Sequence, residues 1–152
     1  MRNAFIFDLD GTLTDSIDRA KKYLIKDEKD WDAFYTACAT DKPIKPVCAV
    51  LKSLYSSGYD ILFVTGRPES CRNQTLEWIR EHLGEGIADS RHLFMRSAED
   101  GFRADYVSKM RNYHQYIEGD WSVVGVFEDR GQCVRAWRDL GLQCFQVADG
   151  NY

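Results

Sequence analysis

The run Ala4-Phe5-Ile6-Phe7 passes directly into Asp8-Leu9-Asp10-Gly11-Thr12-Leu13, and that junction constrains the fold more than any other stretch of the chain. An unbroken apolar run of this length reads as a parallel strand buried on both faces. It ends in two carboxylates two residues apart with a glycine behind them, at the edge where open α/β sheets keep their ligand sites. Carboxylates crowded together repel unless a cation lies between them, and an oxygen-only donor set suits a hard ion such as Mg²⁺. A bare Asp-x-Asp would read as an ordinary turn. The Gly11-Thr12-Leu13 that follows favours a functional site.

The rest of the chain alternates strands and helices. Residues 60–64, 92–95, 122–127 and 144–147 read as further buried strands. Pro46 opens a helix with Val47, Val50, Leu51 and Leu54 turned inward and Gly58 as its stop. A helix over 70–83 buries Leu76, Ile79 and Leu83, another spans about 103–117, and a last one carries Val134, Trp137 and Leu140 before Gly141. Between about 15 and 43 lies a stretch that such a core does not need. There Trp31, Phe34, Tyr35 and Cys38 fall on one helical face with Asp30 placed to cap it, predicting a small helical insert that packs on the body or lies over the site.

The 152 residues suit one domain, and a net charge of −4 gives no broad basic field to attract polyanions, so any nucleic-acid contact is expected to be local. Cys38, Cys48, Cys71, Cys133 and Cys144 are odd in number and contain no Cys-x-x-Cys pair, which predicts reduced core thiols in a cytoplasmic protein. No apolar stretch reaches membrane-spanning length. His82, His92 and His114 lack ligand-spaced partners and read as structural or surface residues.

Asp8-x-Asp10-Gly11-Thr12-Leu13 resembles the first motif of the haloacid dehalogenase (HAD) phosphohydrolases, and the remaining motifs of that family follow in order. The resemblance implies a HAD-like, Rossmann-like three-layer α/β sandwich with a small helical cap insert after the first strand. It makes Asp8 the nucleophile that forms an aspartyl-phosphate and Asp10 the general acid and base. Thr65-Gly66-Arg67, at the end of the 60–64 strand, matches the second motif. Thr65 and the Gly66 backbone would hold the transferring phosphoryl group, and the guanidinium of Arg67 suits a phosphate clamp. Lys109 is the expected charge-neutralising lysine, with Asp105 one turn earlier to hold it. Glu128-Asp129 matches the fourth motif, which implies a Mg²⁺ site of Asp8, Asp10 and Asp129 with Glu128 acting through water.

A narrower resemblance is carried by Glu128-Asp129-Arg130, Gln132, Val134, Trp137-Arg138, Gly141, Cys144-Phe145-Gln146-Val147-Ala148 and Gly150, and by the Arg103, Asp105, Val107, Lys109 helix. These resemble the 3′-phosphatase domain of bacteriophage-type polynucleotide kinase, in which an arginine at the distance of Arg19 from Asp10 also serves the site. Ala104 replaces an expected basic residue, Glu128 replaces an aspartate, and the insert around Trp31 is distinctive. No Gly-x-x-x-x-Gly-Lys-Ser/Thr occurs in these residues, so a kinase or ligase partner is expected to be separate. The expected activity is a Mg²⁺-dependent polynucleotide 3′-phosphatase. The alternative is a 5′(3′)-nucleotidase for free nucleoside monophosphates, with Trp31, Phe34 or Tyr35 stacking on the base.

Overall fold

The computed structural model describes residues 1–150. In chain order the elements are β1 (Arg2–Phe7), β2 (Thr14–Asp15), α1 (Ile17–Tyr23), β3 (Leu24–Ile25), β4 (Glu28–Lys29), α2 (Trp31–Thr36), β5 (Lys42–Pro43), α3 (Lys45–Ser56), β6 (Asp60–Pro68), α4 (Arg72–His82), β7 (Leu93–Arg96), α5 (Asp105–Asn112), β8 (Trp121–Arg130), α6 (Gly131–Asp139) and β9 (Cys144–Gly150). Five strands form a parallel sheet in the order β7-β6-β1-β8-β9. The chain builds outward from β1 on one side and then crosses to β8 on the other. The crevice beyond the carboxyl ends of β1 and β8 is therefore the topological switch point, the expected ligand position in an open α/β sheet.

The period-two alternation of the strands separates the core into two layers. Phe5, Phe7, Ile61 and Phe63 pack with Leu51 of α3 and Trp78 and Ile79 of α4. Ala4, Ile6, Leu62, Val64 and Val126 pack on the other face with Cys133, Val134 and Trp137 of α6 and with Tyr113 and Ile117, in the π-helical turn that continues α5. Burial on both faces explains why these strands read as continuous apolar runs. All five cysteines are buried and unpaired with one another. Among the described residues, no helix is long and apolar enough to cross a membrane.

Several boundaries differ from the sequence-based expectation. β6, β8 and β9 run on to Pro68, Arg130 and Gly150, because ladder pairing continues past the apolar residues that mark a strand in sequence. α5 starts at Asp105 because Ala104 is extended, with ψ 146°. Val50, expected inward on α3, is exposed.

The residues between β1 and α3 leave the sheet and return to it. β2 pairs antiparallel with β5, drawing the two ends of the excursion together. Within it, β3 and β4 form a small hairpin, with Asp27 at its turn in the left-handed region at φ 71°. Asp30 caps α2, its side chain accepting the Ala33 N–H at 3.1 Å.

Candidate active site

Alternation along the strands decides what each motif residue meets. Asp8 extends the series Ala4, Ile6 on β1, and its N–H donates to the Phe127 carbonyl at 3.0 Å, keeping it in line with β8. Glu128 extends the series from Val126 on the same face of the sheet, the face that α5 covers. Lys109 of α5 consequently reaches both, with Nζ 2.8 Å from Asp8 Oδ1 and 2.9 Å from Glu128 Oε2. Asp105, one helical turn earlier, lies 3.4 Å from the same ammonium. Lys109 is buried. Burial alone would lower its pKa, but Asp105, Asp8 and Glu128 outweigh that and hold it well above the ordinary value, so it stays charged.

Carboxylate oxygens of Asp8, Glu128 and Asp129, all buried, lie within 4.8 Å of one another. Burial and then Glu128 push the Asp8 carboxyl well above its usual range, against the pull of Lys109. The Thr12 hydroxyl sits between Asp8 Oδ2 at 3.1 Å and Asp129 Oδ1 at 3.2 Å, and its single proton can serve only one of them at a time. Glu128 is more fully occupied, since Oε1 accepts the backbone N–H groups of Asp129 and Arg130 at 3.1 and 3.3 Å while Oε2 faces Lys109. A crowded, oxygen-only set of buried acids with one ammonium beside it fits a hard divalent cation.

Asp10 faces elsewhere. Arg67 grips it with two parallel hydrogen bonds, Nε to Oδ2 at 3.1 Å and Nη2 to Oδ1 at 2.7 Å, and Arg19 Nη2 adds a third at 2.9 Å. Thr14 donates to the same Oδ1 at 3.1 Å. Burial pushes the Asp10 carboxyl up, but Arg67, then Arg19, outweigh it and hold it well below the usual carboxylate range. The side chain of Asp10 thus lies outside the three-carboxylate cluster, although the sequence suggested a shared metal site. Gly11, at φ 85°, lies in the turn directly after Asp10, which the Thr12 N–H closes onto the Leu9 carbonyl at 3.0 Å.

The two arginines share a second carboxylate, Asp41, at the end of the insert. Arg19 Nε and Nη2 donate to its two oxygens at 2.6 and 2.7 Å, and Arg67 Nη2 lies 3.4 Å from it. Arg67 also donates from Nη1 to Thr75 of α4 at 3.1 Å. The fully buried Arg67 guanidinium is therefore committed to protein acceptors, and Arg19 likewise gives Nη1 to the Phe34 carbonyl at 2.7 Å. Thr65 is buried at the cleft floor, with its hydroxyl accepting the Arg67 N–H at 3.1 Å. Gly66 packs directly against the Asp105 carboxylate, where any Cβ would collide with Oδ1.

Asp41, Thr14, Thr75 and Arg96 escaped the reading of the sequence, which took Thr12 only as part of the first motif and not as a bridge between Asp8 and Asp129. Asp41 sits in Thr40-Asp41-Lys42-Pro43, which looks like a loop, and only the need of two buried arginines for counter-charges hints at it. A cleft of about 820 Å³ joins these parts, lined by Asp8, Asp10, Thr65, Glu128 and Asp129 and, from other elements, by Trp31, Tyr35 and Phe102.

Residues 2–152 match the family of the polynucleotide kinase PNKP phosphatase domain. The chain belongs to this family of HAD phosphatases. A second likeness is to a protein of Autographa californica nuclear polyhedrosis virus described as a bifunctional polynucleotide kinase/RNA ligase, 31% identical over 141 residues, which are 91% of this chain and 18% of that one. Among solved structures, a chain of the Pnkp1/Rnl/Hen1 complex superposes with a TM-score of 0.82 at 29% identity, covering 100% of this chain and 47% of that one. The class C acid phosphatase of Bacillus anthracis shares the fold, with a TM-score of 0.73 at 18% identity over 99% of this chain and 68% of its own. The chain thus spans less than half the length of the viral protein and of the Pnkp1/Rnl/Hen1 chain that it matches.

Proposed function

We propose that this phosphatase domain removes the phosphate from 3′-phosphorylated nucleic-acid ends, with Asp8 as the nucleophile of an aspartyl-phosphate intermediate. The position of Asp8 carries this reading: its Oδ1 is held 2.8 Å from Lys109 at the switch point, beside two further acids and at the floor of an open cleft. A magnesium ion held by Asp8 and Asp129, with Glu128 beside it, would supply the positive charge that brings phosphoryl oxygens next to a carboxylate nucleophile.

The chain's own groups supply the rest. Lys109 orients Asp8 and offsets its charge, so that the carboxylate can approach phosphorus in line. Thr65 and the Gly66 backbone line the cleft where phosphoryl oxygens would lie. As the P–O bond to the sugar breaks, Asp10 gives a proton to the leaving 3′ oxygen. It then takes one from the water that cleaves the aspartyl-phosphate, which regenerates Asp8 and releases inorganic phosphate. The arginine-clamped, ionised Asp10 is the form needed for that second half. The first half requires a substrate phosphate to draw charge from Arg67 and Arg19, which raises the affinity of Asp10 for a proton. In the same reading, the domain works with separate kinase and ligase activities in nucleic-acid end repair.

Phosphate release with Mg²⁺ from a 3′-phosphorylated oligonucleotide, set beside 3′- and 5′-mononucleotides at matched concentrations, tests the substrate. Faster release from the oligonucleotide supports end repair, and preference for mononucleotides replaces it with a nucleotidase. Chelation should stop turnover and Mg²⁺ should restore it. Asp8→Asn is expected to lower turnover at least about 10³-fold with unchanged circular dichroism, because the nucleophile is lost and the shape is kept.

A further inference from the structure

Phe102 is fully exposed, yet the backbone that carries it is pinned on both sides. Upstream, Asp100 Oδ2 accepts from the Ser97 N–H at 3.0 Å, the Ser108 hydroxyl at 3.0 Å and the Arg111 guanidinium at 2.7 Å. Around the ring itself, Arg96 Nη1 donates to the carbonyls of Gly101 and Arg103, the residues flanking Phe102, at 3.3 and 2.8 Å. The same guanidinium donates from Nε to the Gly66 carbonyl at 3.1 Å. One side chain therefore fixes the Phe102 peptide against β6 at Gly66. The ring lines the same cleft as Asp8 and Asp10.

A second aromatic ring lines that cleft from the insert. Trp31 is 46% exposed. Its orientation is set by a near-parallel stack on Tyr35 at 6.0 Å and 27° and an edge contact with Phe34 at 5.8 Å and 89°. Lys29 lies 5.9 Å from its centroid. Exposed rings on a hydrogen-bonded frame, beside cations and next to the end of β6 where the proposed phosphoryl contacts lie, offer what single-stranded nucleic acid binds: a π-face for a base and positive charge for the backbone.

We propose that Phe102 and Trp31 form a nucleobase-stacking subsite of the phosphatase cleft, taking the base of the nucleoside that bears the scissile phosphate. The subsite rests on the proposal that the substrate is a nucleic-acid end. It gives the domain a preference for base-bearing ends without sequence readout, since every base presents a π-face.

The test compares a 3′-phosphorylated oligonucleotide with the same strand ending in an abasic 3′-phosphate, using the wild-type chain, Phe102→Ala and Phe102→Tyr. Wild type is expected to favour the base-bearing end in kcat/KM by about tenfold. That preference should vanish in Phe102→Ala and return in Phe102→Tyr. A preference that survives in Phe102→Ala overturns the subsite and leaves the ring to a protein partner. A strand with 2-aminopurine at its 3′-phosphorylated end, bound to the Asp8→Asn chain, gives a readout without turnover. Quenching that the added Phe102→Ala change abolishes supports the subsite, and undiminished quenching overturns it. If neither end is hydrolysed, the substrate proposal fails while the quenching still decides the subsite.

Discussion

Buried Arg19, Arg67 and Asp41 and the partly exposed Asp10 form a square of alternating charge, and its balance rests on Asp41 as much as on Asp10. Two guanidinium groups in such proximity are tolerable only because two carboxylates interleave them. Removing one partner of a buried pair leaves charge uncompensated. Asp41→Ala is therefore expected to destabilise the domain by about 3 kcal/mol in a denaturant titration. It should also lower kcat, since Arg19 would no longer be anchored against Asp10. A variant as stable and active as wild type would show that the arginines find other acceptors. Nothing near Asp41 in sequence marks this role; its partners lie 22 and 26 residues away.

Where elements meet, the closest constraint is the approach of β6 to α5 at Gly66. A methyl group there would collide with Asp105, whose displacement would disturb Lys109 and through it Asp8. Gly66→Ala is expected to lower kcat about 10²-fold, the usual cost of an ångström-scale misplacement, with a smaller loss in melting temperature. Activity near that of wild type would show that the two elements can shift apart. The turn ahead of α5 makes a prediction in pH. Burial pushes the Asp100 carboxyl up, but Arg111, the Ser97 N–H and the Ser108 hydroxyl outweigh it and hold it below its usual value. A lowered carboxylate pKa adds stability above the unfolded value, about pH 4, and that stability disappears as the pH falls through the folded pKa. The melting temperature of Asp100→Asn should accordingly fall less steeply than that of wild type below about pH 4, and parallel curves would sink this assignment. The sequence located α5, whereas the turn before it is held by Arg96 from the end of β7 and by Arg111 reaching back along α5 itself.

At the scale of the whole molecule, each core layer holds one large, completely buried tryptophan, and the two differ in polar satisfaction. Trp78 donates its indole N–H to the Asp41 carbonyl at 2.8 Å, linking α4 to the arginine network. Among the described residues, Trp137 finds no hydrogen-bond partner for its indole N–H. Leaving a buried acceptor unpaired costs about 1–3 kcal/mol, whereas deleting a donor that was never paired removes a penalty. Trp78→Phe should thus destabilise the protein by clearly more than Trp137→Phe, despite the same loss of volume. Equal losses in chemical denaturation would mean that packing alone governs both sites.

The alternation of strand and helix, the two-sided burial of the sheet and the positions of the strand ends that carry Asp8, Thr65-Gly66-Arg67 and Glu128-Asp129 were all determined by the sequence itself. Those features depend on local periodicity and on the chemistry of contiguous residues, which a linear reading captures. Tertiary structure alone decided that Asp10 turns from Asp8 toward Arg67, 57 residues away, and that Asp41 joins them. Only the tertiary structure decided that Phe102 stands exposed on a pinned peptide beside Gly66 of β6. Such partnerships depend on which strand order brings distant side chains together, and on which charges must be neutralised once water has been excluded.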